Sequence, residues 1–476
     1  MKIAMVASES NPLAKTGGLG DVVYSLSKAL VKLDNEVMIV IPFYDSIQRL
    51  PNLDISYVTS FFIGMSWRHE EAKVYMTIIN GIKFYLISNQ RYFSRQHLYG
   101  DFDDGERFAF FTLAARELFK NINNIPDVVH LHDWQVGMFP CLVKEQHDTF
   151  YEKTKFVLTI HNPAFQGLMP RSCLGDFYSL PQYLFDNGQV RFKDQLSTLK
   201  TAIVYSDKIT TVSHTHRKEL LTPEGGMGLD SVLRMREYDF MGIINGVDFD
   251  EFNPSKDPLI AKQYSLKDAL VGKEENKRAL CKELHIKNYK KPTFSIISRL
   301  TWQKGMDLAY KGIEVLLKRG ANIIILGSGE YEYERRAEEL RAAYPSQMAI
   351  YIGYNNTLAH KIYAASDFVL MPSLFEPCGI TQMIGQRYGT LPIVRLTGGL
   401  EDTVVPYNRF NLDKASGFGF HAFNTDDYIA SLVMALDAFN DLDVRKKLIN
   451  NIMRIDNSWS KNANTYLDMY KSMFTK

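Results

Sequence analysis

The sequence predicts an α/β chain of two doubly wound domains, each a mostly parallel sheet flanked by helices. Its 476 residues are too many for one ordinary core and suit two domains of roughly 200–250 residues each. Short apolar runs alternate with helical patterns, as buried parallel strands in βαβ units do. That series stops near residue 212 and restarts near residue 294.

In the first half the apolar runs fall at residues 3–7, 37–41, 128–132, 156–160 and 209–212. In the second half they fall at 294–297, 323–326, 349–352, 368–371 and 393–394. Between the two series lie the turn-rich Asn245-Gly246-Val247-Asp248 and Asn253-Pro254, which put the boundary at 241–250. The expected first domain is therefore 1–241 and the second 242–458. Residues 267–284 are charged with helical spacing and open the approach to the second domain. Near the C-terminus Ala463, Tyr466, Leu467, Tyr470, Met473 and Phe474 recur at helical intervals. They mark an amphipathic helix, and a helix over 459–476 is expected to complete the first domain.

Composition narrows the function classes. Basic side chains number 55 against 54 acidic ones, so no nucleic-acid partner is expected. Any anionic ligand must meet a local cluster of cations. Cys141, Cys173, Cys281 and Cys378 stand far apart with no C-x-x-C pair, which argues against a disulfide framework or a zinc site. A reduced, cytoplasmic setting fits. No run approaches the ~20 apolar residues of a membrane span, and the apolar start reaches Glu9 too soon for a signal peptide. No membrane partner is expected.

In doubly wound sheets ligands bind at the carboxyl ends of the strands, so the residues just after each apolar run carry the chemistry. The first run is followed by Lys15-Thr16-Gly17-Gly18-Leu19-Gly20-Asp21 and then a helical pattern. Glycines there let backbone N–H groups approach an anion, and Lys15 adds a positive charge. The loop lacks both the Gly-Lys-Ser/Thr ending of a nucleotide-triphosphate loop and the G-x-G-x-x-G of nicotinamide binders. Asp21 suits a helix cap or a sugar contact. Past the run at 294–297, Arg299 and Lys304 stand five residues apart beside a helix start. Both can reach one diphosphate, Arg in bidentate fashion and Lys as a point charge. Such fixed cations stabilise a departing diphosphate more than the bound substrate.

The run at 368–371 leads into a loop with one carboxylate, Glu376, then Cys378 and a helix start at Gly379–Thr381. No second carboxylate lies nearby in sequence, which weakens a hydrolase reading. His130, His132, Asp133 and Trp134 follow one run, and His161 and Asn162 follow the next. Rings mixed with amides and carboxylates suit a carbohydrate. No metal-ligating set is evident.

Seven motifs in order resemble those of bacterial glycogen synthases and plant starch synthases. They are KTGGLGD at 15–21, HLHDWQ at 130–135, TIHNPAFQG at 159–167, NGVD at 245–248, SRLTWQKG at 298–305, EPCGITQ at 376–382 and TGGLEDTV at 397–404. Tyr99-Gly100 and the stretch 107–111 also match that pattern. The resemblance implies a GT-B fold, two Rossmann-like domains facing across a cleft. It implies retaining transfer of glucose from ADP-glucose to the 4-hydroxyl at the non-reducing end of an α-1,4-glucan, with no metal and no cofactor. By the match, Lys15, Gly18, Arg299 and Lys304 hold the diphosphate, helped by Thr381. Tyr354 stacks on adenine. His161, Asn162, Asn245, Glu376, Cys378 and Gly379 surround the glucose, while Asp133 and Trp134 lie toward sugar and acceptor. Ile384 stands where many related GT-B transferases carry a second Glu, and the glycogen and starch synthase branch usually lacks that Glu too.

Overall fold

The computed structural model describes residues 1–51, 53–95 and 97–475. They form two compact units: Met1–Gly246 together with Trp459–Lys476, and Val247–Ser458. Lys476, the last residue of the expected 459–476 segment, lies outside the described residues.

The first unit is built on β1 (Lys2–Val6), β2 (Glu36–Pro42), β3 (Ser56–Met65), β4 (Arg68–Ile79), β5 (Ile82–Ser88), β6 (Val128–His132) and β7 (Lys155–Ile160). Three short strands, β8 (Leu168–Met169), β9 (Arg191–Phe192) and β10 (Gln195–Ser197), form a separate antiparallel sheet. The main sheet ends with β11 (Lys208–Thr211) and β12 (Phe240–Gly242), in the order β12-β11-β7-β6-β1-β2-β5-β4-β3. Every pairing in it is parallel except β4 with β5 and with β3. The order reverses at β1, with β6 on one side and β2 on the other, which is the switch point where such sheets bind ligands. Ile3, Ala4, Met5 and Val6 are wholly buried because helices cover both faces.

The helix Gly18–Val31 buries Val22, Val23, Leu26 and Leu30 on that sheet. Against it packs the helix Trp459–Ser472, which buries Trp459, Ala463, Tyr466, Leu467, Met469 and Tyr470. Of the expected stripe, Ala463, Tyr466, Leu467 and Tyr470 lie on the buried face, whereas the helix ends at Ser472, so Met473 and Phe474 fall past it and Phe474 is exposed.

The second unit holds β13 (Thr293–Ile297), β14 (Asn322–Gly327), β15 (Met348–Ile352), β16 (Phe368–Met371), β17 (Leu391–Arg395) and β18 (Phe418–Phe420). They pair in parallel in the order β15-β14-β13-β16-β17-β18, with the switch at β13 and β16. The charged stretch after the boundary is the helix Ala269–Glu283.

Each apolar run named from the sequence overlaps a strand. The strands it missed are β3 to β5, the small β8–β10 sheet, β12 and β18. β3 alternates exposed and covered residues instead of forming a continuous apolar run, because it is the sheet's edge.

Candidate active site

In the first unit the polar residues gather where β1, β6 and β7 end. Glu9, just past β1, is 1% exposed and receives three hydrogen bonds. Thr16 donates to its Oε2 through N (2.9 Å) and Oγ1 (2.7 Å), and Gly20 N donates to Oε1 (3.0 Å). This carboxyl therefore shapes the glycine loop from beneath. Burial raises its pKa, and the Thr16 and Gly20 bonds oppose the rise. Lys15 on the same loop pairs with Asp21 in the first turn of the following helix (2.7 Å). Both are about a quarter exposed (26% and 28%), so the pair can be exchanged for a ligand at little cost.

Asp133, after β6, has φ 61° and ψ −169°, a region almost confined to glycine. Its Oδ1 accepts from His161 N at 2.7 Å and so ties the β7 exit loop to the β6 exit. That bond supports the strained backbone. Burial pushes the Asp133 carboxyl up to about 7. Trp134 is half-buried, its ring edge-on to Phe108 with centroids 5.4 Å apart.

Three histidines lie in a line. The Tyr470 hydroxyl is hydrogen-bonded to His130 Nδ1 (2.7 Å), and His130 Nε2 to Thr159 Oγ1 (2.6 Å). The His130 ring stacks on His132 with centroids 4.4 Å apart, and His132 Nδ1 meets His161 Nε2 at 2.9 Å. Burial pulls His130 and His161 down to about 3 and His132 well below its ordinary value, so the line is neutral. His132 Nε2 and, past β12, Asn245 Oδ1 are buried without a hydrogen-bond partner among the described residues. Asn162 Oδ1 caps its own loop by accepting from Ala164 N (3.0 Å).

The second unit gathers a different set, at the ends of the neighbouring strands β13 and β16. Arg299 is exposed, and its guanidinium makes no ion pair or hydrogen bond with the described residues. Lys304 Nζ pairs with Glu376 Oε2 at 2.7 Å, and Ser373 Oγ donates to the same oxygen at 3.1 Å. Lys304 thus commits one of its three donors and keeps the others. Leu374 N donates to Gln303 O (2.9 Å), which joins the two loops through their backbones.

Two glycines permit this approach. Gly305 has φ 70°, and a Cβ there stands 2.0 Å from the Pro372 carbonyl oxygen. Gly398 has φ 47°, and a Cβ there stands 2.1 Å from the Glu376 carbonyl oxygen. Buried Gln382 fixes the loop from below: its Nε2 donates to Cys378 O (3.1 Å), Gly379 O (3.1 Å) and Thr403 Oγ1 (3.0 Å). Thr381 Oγ1 reaches Ile297 O at 3.4 Å. Cys378 is buried, and Gly379 has φ 72°. Tyr354, 74% exposed, follows β15 two strands from β13. Among the described residues no group of histidine, cysteine and carboxylate side chains is arranged to hold a metal ion. Among the described residues no helix is long and apolar enough to cross a membrane.

A family model described as the starch synthase catalytic domain matches residues 2–235, and one described as glycosyl transferases group 1 matches 278–452. The glycogen synthase of Clostridium kluyveri is 42% identical over 476 residues, covering 99% of this chain and 100% of that one. The chain belongs to the glycogen and starch synthase family. The glycogen synthase of Streptococcus sanguinis is 43% identical over 477 residues, covering 99% and 100%. The catalytic domain of starch synthase IV from Arabidopsis thaliana, solved bound to ADP and acarbose, superposes with a TM-score of 0.95 at 33% identity, covering 100% of this chain and 99% of that one. Sucrose-phosphate synthase from Thermosynechococcus elongatus, at 15% identity and a TM-score of 0.63, shares the fold. The two Rossmann-like units are those of a GT-B glycosyltransferase.

Within this synthase-family chain the structure groups the named residues by unit. Lys15, Gly18, Asp21, Asp133, Trp134, His161, Asn162 and Asn245 belong to the first. Arg299, Lys304, Tyr354, Glu376, Cys378, Gly379 and Thr381 belong to the second. Sequence reasoning assigned no role to Glu9 or Gln382, which hold the two loops. The signal was present in each case: a lone acidic residue ending an apolar strand, and an amide closing the EPCGITQ motif.

Proposed function

We propose that this chain transfers glucose from ADP-glucose to the 4-hydroxyl at the non-reducing end of an α-1,4-glucan, retaining the α configuration and releasing ADP. The observation that carries the reading is the cation set at the switch of the second sheet, an exposed Arg299 beside the Lys304–Glu376 pair. The relatives' printed names, and the ADP and acarbose in the starch synthase structure, support the donor and acceptor classes.

In this reading the bond from glucose C1 to the β-phosphate oxygen breaks, and ADP departs with the electron pair. Arg299 and Lys304 neutralise the growing charge on the diphosphate, with Thr381 contributing from its loop. The acceptor O4 attacks C1 from the same face and passes its proton to the leaving phosphate. Glu376 holds Lys304 and orients sugar hydroxyls together with Cys378 and Gly379; it is not a covalent nucleophile. Tyr354, exposed and aromatic, stacks on the base. Asp133 and Trp134 serve the acceptor side.

The test is release of ADP from ADP-glucose by purified protein, with and without added glycogen. Glycogen-dependent release is expected, with kcat/KM for ADP-glucose above that for UDP-glucose. A higher kcat/KM with UDP-glucose overturns the donor assignment, and no glycogen-dependent release with either donor overturns the whole reading.

A further inference from the structure

The second unit contains a buried lysine that the proposed reaction does not use. Lys273, on the helix Ala269–Glu283, is 5% exposed. Its Nζ donates to the carbonyl oxygens of Tyr363 (3.3 Å), Ala364 (3.2 Å) and Tyr388 (3.1 Å) and to Thr390 Oγ1 (2.8 Å). Tyr363 and Ala364 sit in the last turn of the helix Asn356–Ala365, and Tyr388 closes the helix Thr381–Arg387. One cation therefore satisfies the carbonyl ends of two helices, where its charge also complements both dipoles. Asp367, the carboxylate acting on Lys273, is itself paired with Lys277 at 2.5 Å. An apolar side chain of similar length fills the same space without desolvation, but it cannot join the two helix ends.

The same helices are joined a second time. Asp257 Oδ2 meets His360 Nδ1, on the first helix, at 2.8 Å, and accepts from the Tyr388 hydroxyl at 2.6 Å. The Tyr264 hydroxyl donates to Tyr388 O at 2.7 Å. At their other ends the helices begin at donor residues. Tyr354 stands two positions before Asn356, and Thr381 is the first residue of the other helix.

We propose that Lys273 is a positioning residue for the donor: by clamping the far ends of these two helices it sets the spacing between the base-stacking Tyr354 and the loop of Glu376 to Thr381. The inference rests on the donor assignment above. Burial lowers the Lys273 pKa to about 7, with Lys277 acting in the same sense and Asp367 opposing. Of the phenols around it, Tyr264 and Tyr388 are pushed further above their ordinary range by burial and stay neutral. Raising the pH through 7 removes one of the three N–H donors and loosens the clamp.

The experiment is calorimetric binding of ADP, with steady-state kinetics, for the full chain and three variants. Lys273→Met is expected to raise the ADP Kd and the KM for ADP-glucose at least tenfold, with the KM for glycogen unchanged. Tyr264→Phe, which deletes one hydroxyl and keeps the ring, is expected to raise the ADP Kd about threefold. Leu340→Ala, in the helix Tyr331–Ala343 of the same unit, lowers thermal stability and leaves the ADP Kd within twofold. Between pH 6.5 and 9 the wild-type ADP Kd should rise relative to that of Lys273→Met. If wild type binds ADP and both Lys273→Met and Tyr264→Phe bind it equally well, the positioning role is wrong and the donor assignment stands. If ADP affinity tracks melting temperature across all three variants, Lys273 is structural only. If wild type itself fails to bind ADP, the donor assignment falls and the inference with it.

Discussion

At the strand ends of the first unit the polar side chains face one another, while those of the second carry an exposed arginine and an ion pair, Lys304–Glu376, with Glu376 buried. Glu9, His130, His132 and Asp133 are buried and engaged with loops or with other rings. Arg299 is exposed, and Lys304 spends one donor on Glu376. The difference separates two tasks. An internally bonded cluster fixes loop geometry, whereas incompletely satisfied cations supply stabilisation to a ligand whose charge grows during reaction.

The comparison breaks most sharply in the second unit. Arg299→Ala and Lys304→Ala should each lower kcat by roughly 10²–10³, as loss of ~3–4 kcal/mol of charge stabilisation requires. For exposed Arg299 the melting temperature should stay within a few degrees. A fall of less than threefold for both, in an ADP-release assay, removes the second unit's side of the contrast.

Glu9→Ala tests the first unit. It strands the N–H and hydroxyl of Thr16 and the N–H of Gly20. A loss of about 2–3 kcal/mol in urea unfolding is expected, with about a tenfold rise in the KM for ADP-glucose and a smaller change in kcat. An unchanged KM separates the glycine loop from the donor.

The two kinds of buried group in the first unit also differ in pH response. His130 and His161 fall to about 3 in the fold, so the stability they confer is present above the unfolded value near 6.5 and is lost as pH falls toward 3. Asp133 has the opposite sign. Raised to about 7, it is protonated in the fold while the unfolded chain is already ionised above about 4. Its contribution therefore declines as pH rises from about 4 to 7. Asp133→Asn should gain stability relative to wild type over that window, on the order of 1–4 kcal/mol by urea midpoints. A flat difference rules out a buried, ionising Asp133. The smallest effect belongs to Tyr470→Phe, which removes the bond to His130 Nδ1. About 1 kcal/mol of stability should go, with kcat within twofold.

Much of this was legible in the sequence because continuous apolar runs mark fully covered parallel strands, and each one named lies in a sheet. The residues right after those runs are the ones the strand ends present. What escaped has a physical reason. β3 and β4 alternate because they close an edge. Glu9 and Gln382 act by satisfying backbone groups of loops that fold back over them, and that return path is not encoded at neighbouring positions. Lys273 looked like one more charge on a solvated helix; only the packing of two distant helix ends around it makes it buried.

The helix Trp459–Ser472 carries a consequence for synthesis. The bulk of the first unit is the earlier part to leave the ribosome, yet its seat for His130 and its cover for the helix Gly18–Val31 are translated only after the whole of Val247–Ser458. Until then the nascent chain carries an unfinished lobe with an open apolar flank while some two hundred intervening residues of Val247–Ser458 are made. Maturation of the amino-terminal lobe is thus timed by the segment after Ser458, and a message cut short just before Trp459 yields a product whose flaw lies in the part it finished first.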